Sequence, residues 1–226
     1  MTMIKITKNL VLIILIGTCI KLCLWQIDRA EQKLSIQNDF NIQKELAPIN
    51  VLSIKSQPNR FTNIFATGYF NETYFLLDNI VHNRIAGYHV IHPLLIDDKI
   101  LLINRGWVEN YSRQKFPSIT GTGELVTLSG YVYYPSKLLE LSDQNMTKSK
   151  PYVIQNIDIS EISSVLKKKV HPYILILEGG TKYSYVNQNI NDEKSHLKHY
   201  MYAGQWFLFS VIGVIFLILL NRRENE

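Results

Sequence analysis

Two long apolar runs, one near each end of the chain, restrict its fold more than any other feature. Residues 10–27 read LVLIILIGTCIKLCLWQI, with Lys21 as the one charge, and residues 202–220 carry no charge. Each run is about as long as a helix needs to cross a hydrocarbon core of roughly 30 Å. We therefore predict two transmembrane helices with the rest of the chain between them.

The first run is predicted to be an uncleaved anchor. It is longer than the core of a usual signal peptide, and no small-x-small cleavage site follows it. Lys5, Lys8, Arg222 and Arg223 lie just outside the two runs, and the positive-inside tendency then puts both termini in the cytoplasm. Because no Arg- and Ser-rich transit peptide precedes the run, we expect the bacterial inner (cell) membrane, with the middle of the chain in the periplasm. The alternative is the mitochondrial inner membrane.

The predicted division has five parts: a cytoplasmic N-terminus (1–9), a first transmembrane helix (10–27), an exported soluble domain (28–198), a second transmembrane helix with an interfacial entrance (199–220) and a cytoplasmic tail (221–226). The 226 residues fit one ordinary domain with such appendages. With 24 Lys and Arg against 19 Asp and Glu, the net charge of +5 is mild. The basic residues are scattered, so we predict the lipid bilayer and not a nucleic acid as a partner.

The middle of the chain is predicted to be rich in β-structure. Residues 28–46 lack Gly and Pro, which favours a helix that leaves the membrane or lies on it and ends at Pro48. One further short helix is predicted over 158–168, with Asp158 or Ser160 as its cap. Seven β-rich runs are separated by turn residues: 61–70, 73–79, 86–96, 99–108, 124–134, 151–156 and 171–178. We predict two transmembrane helices that flank a mainly antiparallel, barrel-like soluble domain.

A search for catalytic groups does not predict an enzyme. The sequence has no G-x-S-x-G, H-E-x-x-H or P-loop motif. A membrane-bound hydrolase would need a nucleophile and a base close together in the β domain, and the sequence offers no such pair. His89 and His92 are expected on opposite sides of a strand, which does not suit a shared metal. Cys19 and Cys23 share a helix face, where they either pack in lipid or bind a soft metal such as Cu(I).

Arg105-Gly106-Trp107 is unusual within a predicted strand. One interpretation is a β-bulge at Gly106, with Arg105 pairing across the sheet and Trp107 packing on the core or on the membrane surface. The other is an arginine that contacts a carboxylate, such as a propionate of a bound ligand.

The entrance to the second apolar run has a similar ambiguity. Helical spacing places five residues on one stripe: His199, Ala203, Trp206, Ser210 and Gly213. The small residues of this stripe allow close packing against the first helix. Aromatic residues at this depth need no further explanation than the interfacial belt. His199 either ligates the iron of an amphipathic porphyrin or is an interfacial histidine with no ligand.

Five segments, in order, resemble motifs of the Surfeit locus protein 1 family. The segments are WQIDR (25–29), GYF (68–70), GYHVIHPL (87–94), INRGWV (103–108) and HYMYAGQW (199–206). The chain differs from the family pattern at His92, where threonine is usual, and at Cys23, where glycine is common.

The resemblance implies two membrane spans around a soluble β domain, and a role in the assembly of haem–copper terminal oxidases, chiefly cytochrome c oxidase. It implies transient binding of haem a and its delivery to the oxidase core subunit, with that subunit and haem-a biosynthesis or insertion proteins as partners. His199 matches the haem-linked histidine, in preference to His196. The other candidate haem-binding residues are Arg105 and Trp206. Arg105 would steady either the domain or a propionate of the haem. The alternative is a cofactor-free membrane scaffold that stabilises an oxidase assembly intermediate.

Overall fold

Long helices at both ends of the chain flank a β domain in the computed structural model, which describes residues 2–110, 116–121, 123–135, 146–147, 149–186 and 195–223. The helices are α1 (Thr2–Glu45), α2 (Ile159–Leu166) and α3 (Ser195–Arg223). The strands are β1 (Ile49–Asn50), β2 (Asn63–Phe70), β3 (Phe75–His82), β4 (Ile85–Ile96), β5 (Lys99–Glu109), β6 (Leu125–Tyr133), β7 (Tyr152–Ile154) and β8 (Lys169–Leu177). The predicted fold class is confirmed.

The chain divides into two compact units, a helical unit of residues 1–41 and 190–226 and a β unit of residues 42–189. Both α1 and α3 are long and apolar enough to cross a membrane. Large side chains such as Ile14 (58% exposed) and Phe207 (61% exposed) are open on their surfaces, as expected of helices that face lipid. Where the membrane begins and ends along them stays a prediction, and the predicted tail at 221–226 lies partly outside the described residues.

Helices α1 and α3 pack antiparallel through small residues, as the stripe on α3 predicts. Near one end, the Asn9 side-chain amide donates to Asn221 Oδ1 over 3.0 Å. Further along, a Cβ added at Gly213 would lie 2.7 Å from Ile16 Cγ1, so the helices approach closely there because Gly213 has no side chain. Ala203 and Ser210 on the same stripe of α3 are buried.

Five strands of the β unit close into a barrel. Strand β2 pairs with β6, β6 with β8, β8 with β5, β5 with β4, and β4 returns to β2. Strand β1 is added beside β2, while β3 and β7 extend the sheet from β4. Side chains alternate along β2, so that Ile64, Ala66 and Phe70 point into a core shared with Leu101 and Leu175. Five of the eight strand pairs are antiparallel, in agreement with the predicted mainly antiparallel domain.

The short helix α2 forms where its capping signal predicts. The Asp158 carboxylate accepts hydrogen bonds from the backbone N–H groups of Ser160 and Glu161, which have no partner within the helix. Ile162 is buried, and Lys167 ends the helix in a left-handed conformation with φ 52°. Of the two caps that the sequence allowed, Asp158 is the one used.

Candidate functional site

His199 lies in the second turn of α3 and makes a hydrogen bond to α1. Its Nδ1 is 2.8 Å from the side-chain oxygen Oε1 of Gln26, which is 173 residues away in the sequence. An amide oxygen can only accept, so Nδ1 carries the proton and Nε2 carries the lone pair. Within the described part of the chain, Nε2 makes no hydrogen bond. The imidazole is half-buried and held in one orientation, with one nitrogen available to a ligand.

Two pairs of ring side chains lie on α3 near His199, without a described contact to its imidazole. His196 meets Tyr200 edge to face at 6.4 Å between ring centroids, and its buried Nδ1 has no hydrogen-bond partner among the described residues. Trp206, half-buried, packs edge to face on Phe209 at 5.9 Å. The structure therefore brings His199 together with Gln26 and places Trp206 about two turns further along the same helix.

The donor set at His199 fits a porphyrin iron. A metal-ligating histidine usually donates its second ring N–H to an oxygen acceptor, which is the arrangement that Gln26 provides. A porphyrin supplies four nitrogen ligands of its own, so one imidazole from the protein is sufficient to hold the iron. Elsewhere, among the residues that the structure describes, no group of three or more His, Cys, Asp or Glu side chains could hold a metal ion. Cys19 and Cys23 are both half-buried free thiols.

Arg105 is positioned by a bulge in β5. His89 of β4 pairs with Trp107 and Ile91 with Asn104, so Arg105 and Gly106 together oppose the single residue between them on β4. Gly106 has φ +103°, and an added Cβ would be 2.7 Å from the Val186 carbonyl oxygen. The bulge at Gly106 is confirmed, and glycine is required there because residue 186 crosses it so closely.

The Arg105 guanidinium is 1% exposed and is enclosed by its own domain. Its Nε donates to the Tyr183 carbonyl oxygen over 2.8 Å, and Nη1 donates to the Thr120 carbonyl oxygen over 2.7 Å. The rings of Phe70 and Tyr185 each lie 4.9 Å from its central carbon, which is a cation–π distance. Burial lowers the pKa of Arg105, while the Tyr185 and Tyr183 hydroxyls oppose that change. Arginine nonetheless stays charged in proteins.

His92 completes the partners of Arg105. Its Nδ1 accepts from Arg105 Nη1 over 2.9 Å, and its Nε2 donates to the Asn71 carbonyl oxygen over 2.7 Å. The ring stacks on Phe70 at 4.3 Å and is fully buried. Burial lowers the pKa of His92 to about 4; the Asn71 carbonyl opposes this and the Arg105 charge adds to it. A neutral His92 is therefore the acceptor that a buried cation needs at neutral pH.

Trp107 packs on the core, as one interpretation of its motif predicts. It is 6% exposed, and its Nε1 donates to the Ile80 carbonyl oxygen over 3.2 Å. On the other edge of β5, Trp107 pairs with Val186 in an antiparallel bridge. Arg105 thus donates three hydrogen bonds to acceptors within the chain itself. Its contact with a propionate stays a prediction.

Comparison with known proteins places the chain in a family. A family model described as the SURF1 family matches residues 13–211. The chain belongs to the SURF1 family. It is also similar to the SURF1-like protein of Rickettsia felis, with 23% identity over 224 residues that cover 95% of this chain and 96% of that protein.

SURF1 family membership implies a role in the assembly of cytochrome c oxidase. The matched range contains the residues of both candidate sites, His199 with Gln26 and Arg105 with His92. With two helices able to span a membrane, this SURF1 family member is a membrane protein. The sequence pointed to His199, Arg105 and Trp206, but it missed Gln26 and His92 as their partners. Two signals for Gln26 were available: its place in the WQIDR segment, and its position with Ile16, Cys19 and Cys23 on a helical stripe of α1.

Proposed function

We propose that this protein is a membrane-anchored assembly factor that binds haem a transiently and helps to deliver it to the oxidase core subunit. His199 is the proposed iron ligand. The observation that supports this choice is the hydrogen bond from His199 Nδ1 to Gln26, which leaves Nε2 as the nitrogen with the lone pair. Bound haem a would supply the iron and the four porphyrin nitrogens. The chain would supply one imidazole and an apolar helical surface.

A single protein ligand suits a carrier because the cargo has to leave. Each additional iron–ligand bond would have to break before transfer to the oxidase. Trp206, two turns from His199 on the same stripe, is the proposed packing partner for the flat macrocycle. The protein is proposed to act by binding and transfer, and not as an enzyme.

The contacts of Arg105 favour the steadying role over the propionate role. Its guanidinium joins residues 120 and 183 to β5 and is enclosed by two aromatic rings. We propose that Arg105 keeps the β domain in shape for docking on the oxidase core subunit or on a protein that makes or inserts haem a.

The proposed location is the bacterial inner membrane, with the β domain in the periplasm and both termini in the cytoplasm. Lys5, Lys8, Arg222 and Arg223 support this orientation through the positive-inside tendency. The mitochondrial inner membrane, with the β domain in the intermembrane space, is the alternative location.

Replacement of the native gene distinguishes the carrier from a cofactor-free scaffold. Cells would carry the wild type, His199→Ala, or His196→Ala as a matched control on the same helix, at equal protein levels. The carrier predicts that only His199→Ala yields purified oxidase with a severalfold lower haem a content. Normal haem a content in all three strains would favour the scaffold and remove haem delivery from the function.

A further inference from the structure

We infer that Gln26 is a positioning residue that holds His199 as its Nδ1–H tautomer and so presents Nε2 to the iron. This inference rests on the proposed function, because it identifies how the ligand of that same site is prepared. Gln26 itself touches neither the iron nor the porphyrin in this role.

The hydrogen bond selects one of two tautomers. A neutral imidazole carries its proton on either ring nitrogen, and it ligates a metal through the nitrogen without the proton. The oxygen Oε1 of Gln26 lies 2.8 Å from Nδ1, and it stabilises the tautomer in which Nδ1 donates. A side chain without an acceptor at this position would let the proton move to Nε2, where it would block the ligand site.

Helix packing fixes the position of Gln26 relative to His199. The contact of Ile16 with Gly213 brings the two helices together below the site, and Ala203 is buried one turn from His199. Gln26 follows Ile16 on the same face of α1, about three turns on. Both ends of the hydrogen bond therefore sit on helices that pack against each other, and partial burial limits competition by water.

The expected consequence is a change in ligand affinity. Removing the outer partner of a metal-ligating histidine typically lowers metal affinity about 10- to 100-fold. Gln26→Met keeps the length of the side chain and removes the acceptor, whereas Gln26→Glu keeps an acceptor oxygen. Gln32→Met is the matched control, because Gln32 is on the same exposed helix and bonds to Asp28 and Arg29 instead.

The tautomer is measured without haem. Full-length protein in detergent, with ¹⁵N-labelled histidine rings, is examined by NMR at a pH where the ring is neutral, and the His199 signals are identified by their loss in His199→Ala. We expect a protonated Nδ1 in the wild type, in Gln26→Glu and in Gln32→Met, and a shift towards protonated Nε2 in Gln26→Met. A protonated Nε2 in the wild type, or the same tautomer in Gln26→Met, would overturn the inference.

Titration of the same variants with haem a separates the inference from the function on which it rests. We expect dissociation constants about 10- to 100-fold higher for Gln26→Met and close to the wild type for Gln26→Glu and Gln32→Met. Wild-type affinity in Gln26→Met, with binding lost in His199→Ala, would reject the role of Gln26 and keep His199 as the ligand. Wild-type affinity in His199→Ala would reject both.

Discussion

His92 makes the stability of the protein depend on pH at the scale of a single residue. Burial lowers its pKa to about 4 from the ordinary 6.5, so between these values the unfolded chain binds the additional proton. The free energy of unfolding should therefore fall as the pH drops from 6.5 to about 4, by roughly 3 kcal/mol in total, and should level off below. Denaturant unfolding of the full chain in detergent at several pH values measures this decline.

His92→Thr is the variant that tests the origin of the decline, since threonine cannot titrate in this range. Its unfolding free energy should change much less between pH 6.5 and 4, whatever its value at neutral pH. Parallel pH curves for the two proteins would assign the decline to other groups.

Replacing Arg105 should affect the free energy of unfolding more than the affinity for haem a. Arg105→Lys keeps the charge but loses the planar guanidinium, which donates to the carbonyl oxygens of residues 120 and 183 and lies 4.9 Å from each of two aromatic rings. We expect the free energy of unfolding to fall by about 2–4 kcal/mol, because a buried charge loses hydrogen bonds. Haem a affinity, measured by titration well below the unfolding temperature, should be unchanged. A fall in haem affinity with unchanged stability would instead support the propionate contact.

At the scale of elements, the packing of α1 on α3 depends on Gly213. A side chain there would meet Ile16, whereas Gly204, on the same helix, has nothing within 4 Å of an added Cβ. Gly213→Val should cost about 1–3 kcal/mol through overpacking, which corresponds to roughly 2–12 °C in the unfolding temperature. Gly204→Val should not lower that temperature. Equal effects of the two substitutions in a thermal melt in detergent would contradict this packing.

The elements that the sequence predicted are those with strong local signals. Each of the strands β2 to β8 overlaps one of the seven predicted runs, which are rich in β-branched and aromatic residues. Asp158 marked the start of α2, because apolar residues at helical spacing follow it. Strand β1 was missed because it has only two residues, between Pro48 and a short turn at Val51–Ser53, and exists through its parallel pairing with β2. Pairing between distant segments leaves no local pattern to detect.

In the candidate sites, too, the sequence indicated the local features but not the partners that come from distant segments. Arg105-Gly106-Trp107 indicated a bulge because glycine and arginine are uncommon in a strand, but its partners at 92, 120 and 183 come from three other segments of the chain. The apolar run and its small-residue stripe predicted that α3 packs on α1. The pairing of Gln26 with His199 depends on the register of the two helices, which composition does not determine.

At the scale of the whole molecule, the two candidate sites lie in different compact units. The helical unit contains His199 and Gln26, and the β unit contains Arg105 and His92. Membership of the SURF1 family assigns the role in cytochrome c oxidase assembly, and the proposed haem a binding depends on His199 alone among the described histidines. Haem binding is therefore the property that separates a carrier from a scaffold.

The most direct measurement is a visible absorption spectrum of the full-length protein, purified in detergent from cells that make haem a. Wild type, His199→Ala and the control His196→Ala would be compared at equal protein concentration, after circular dichroism has shown the same helix and strand content. We predict a haem a band in the wild type and in His196→Ala, and its loss in His199→Ala. A band of equal intensity in His199→Ala, or no band in the wild type, would contradict haem binding at His199.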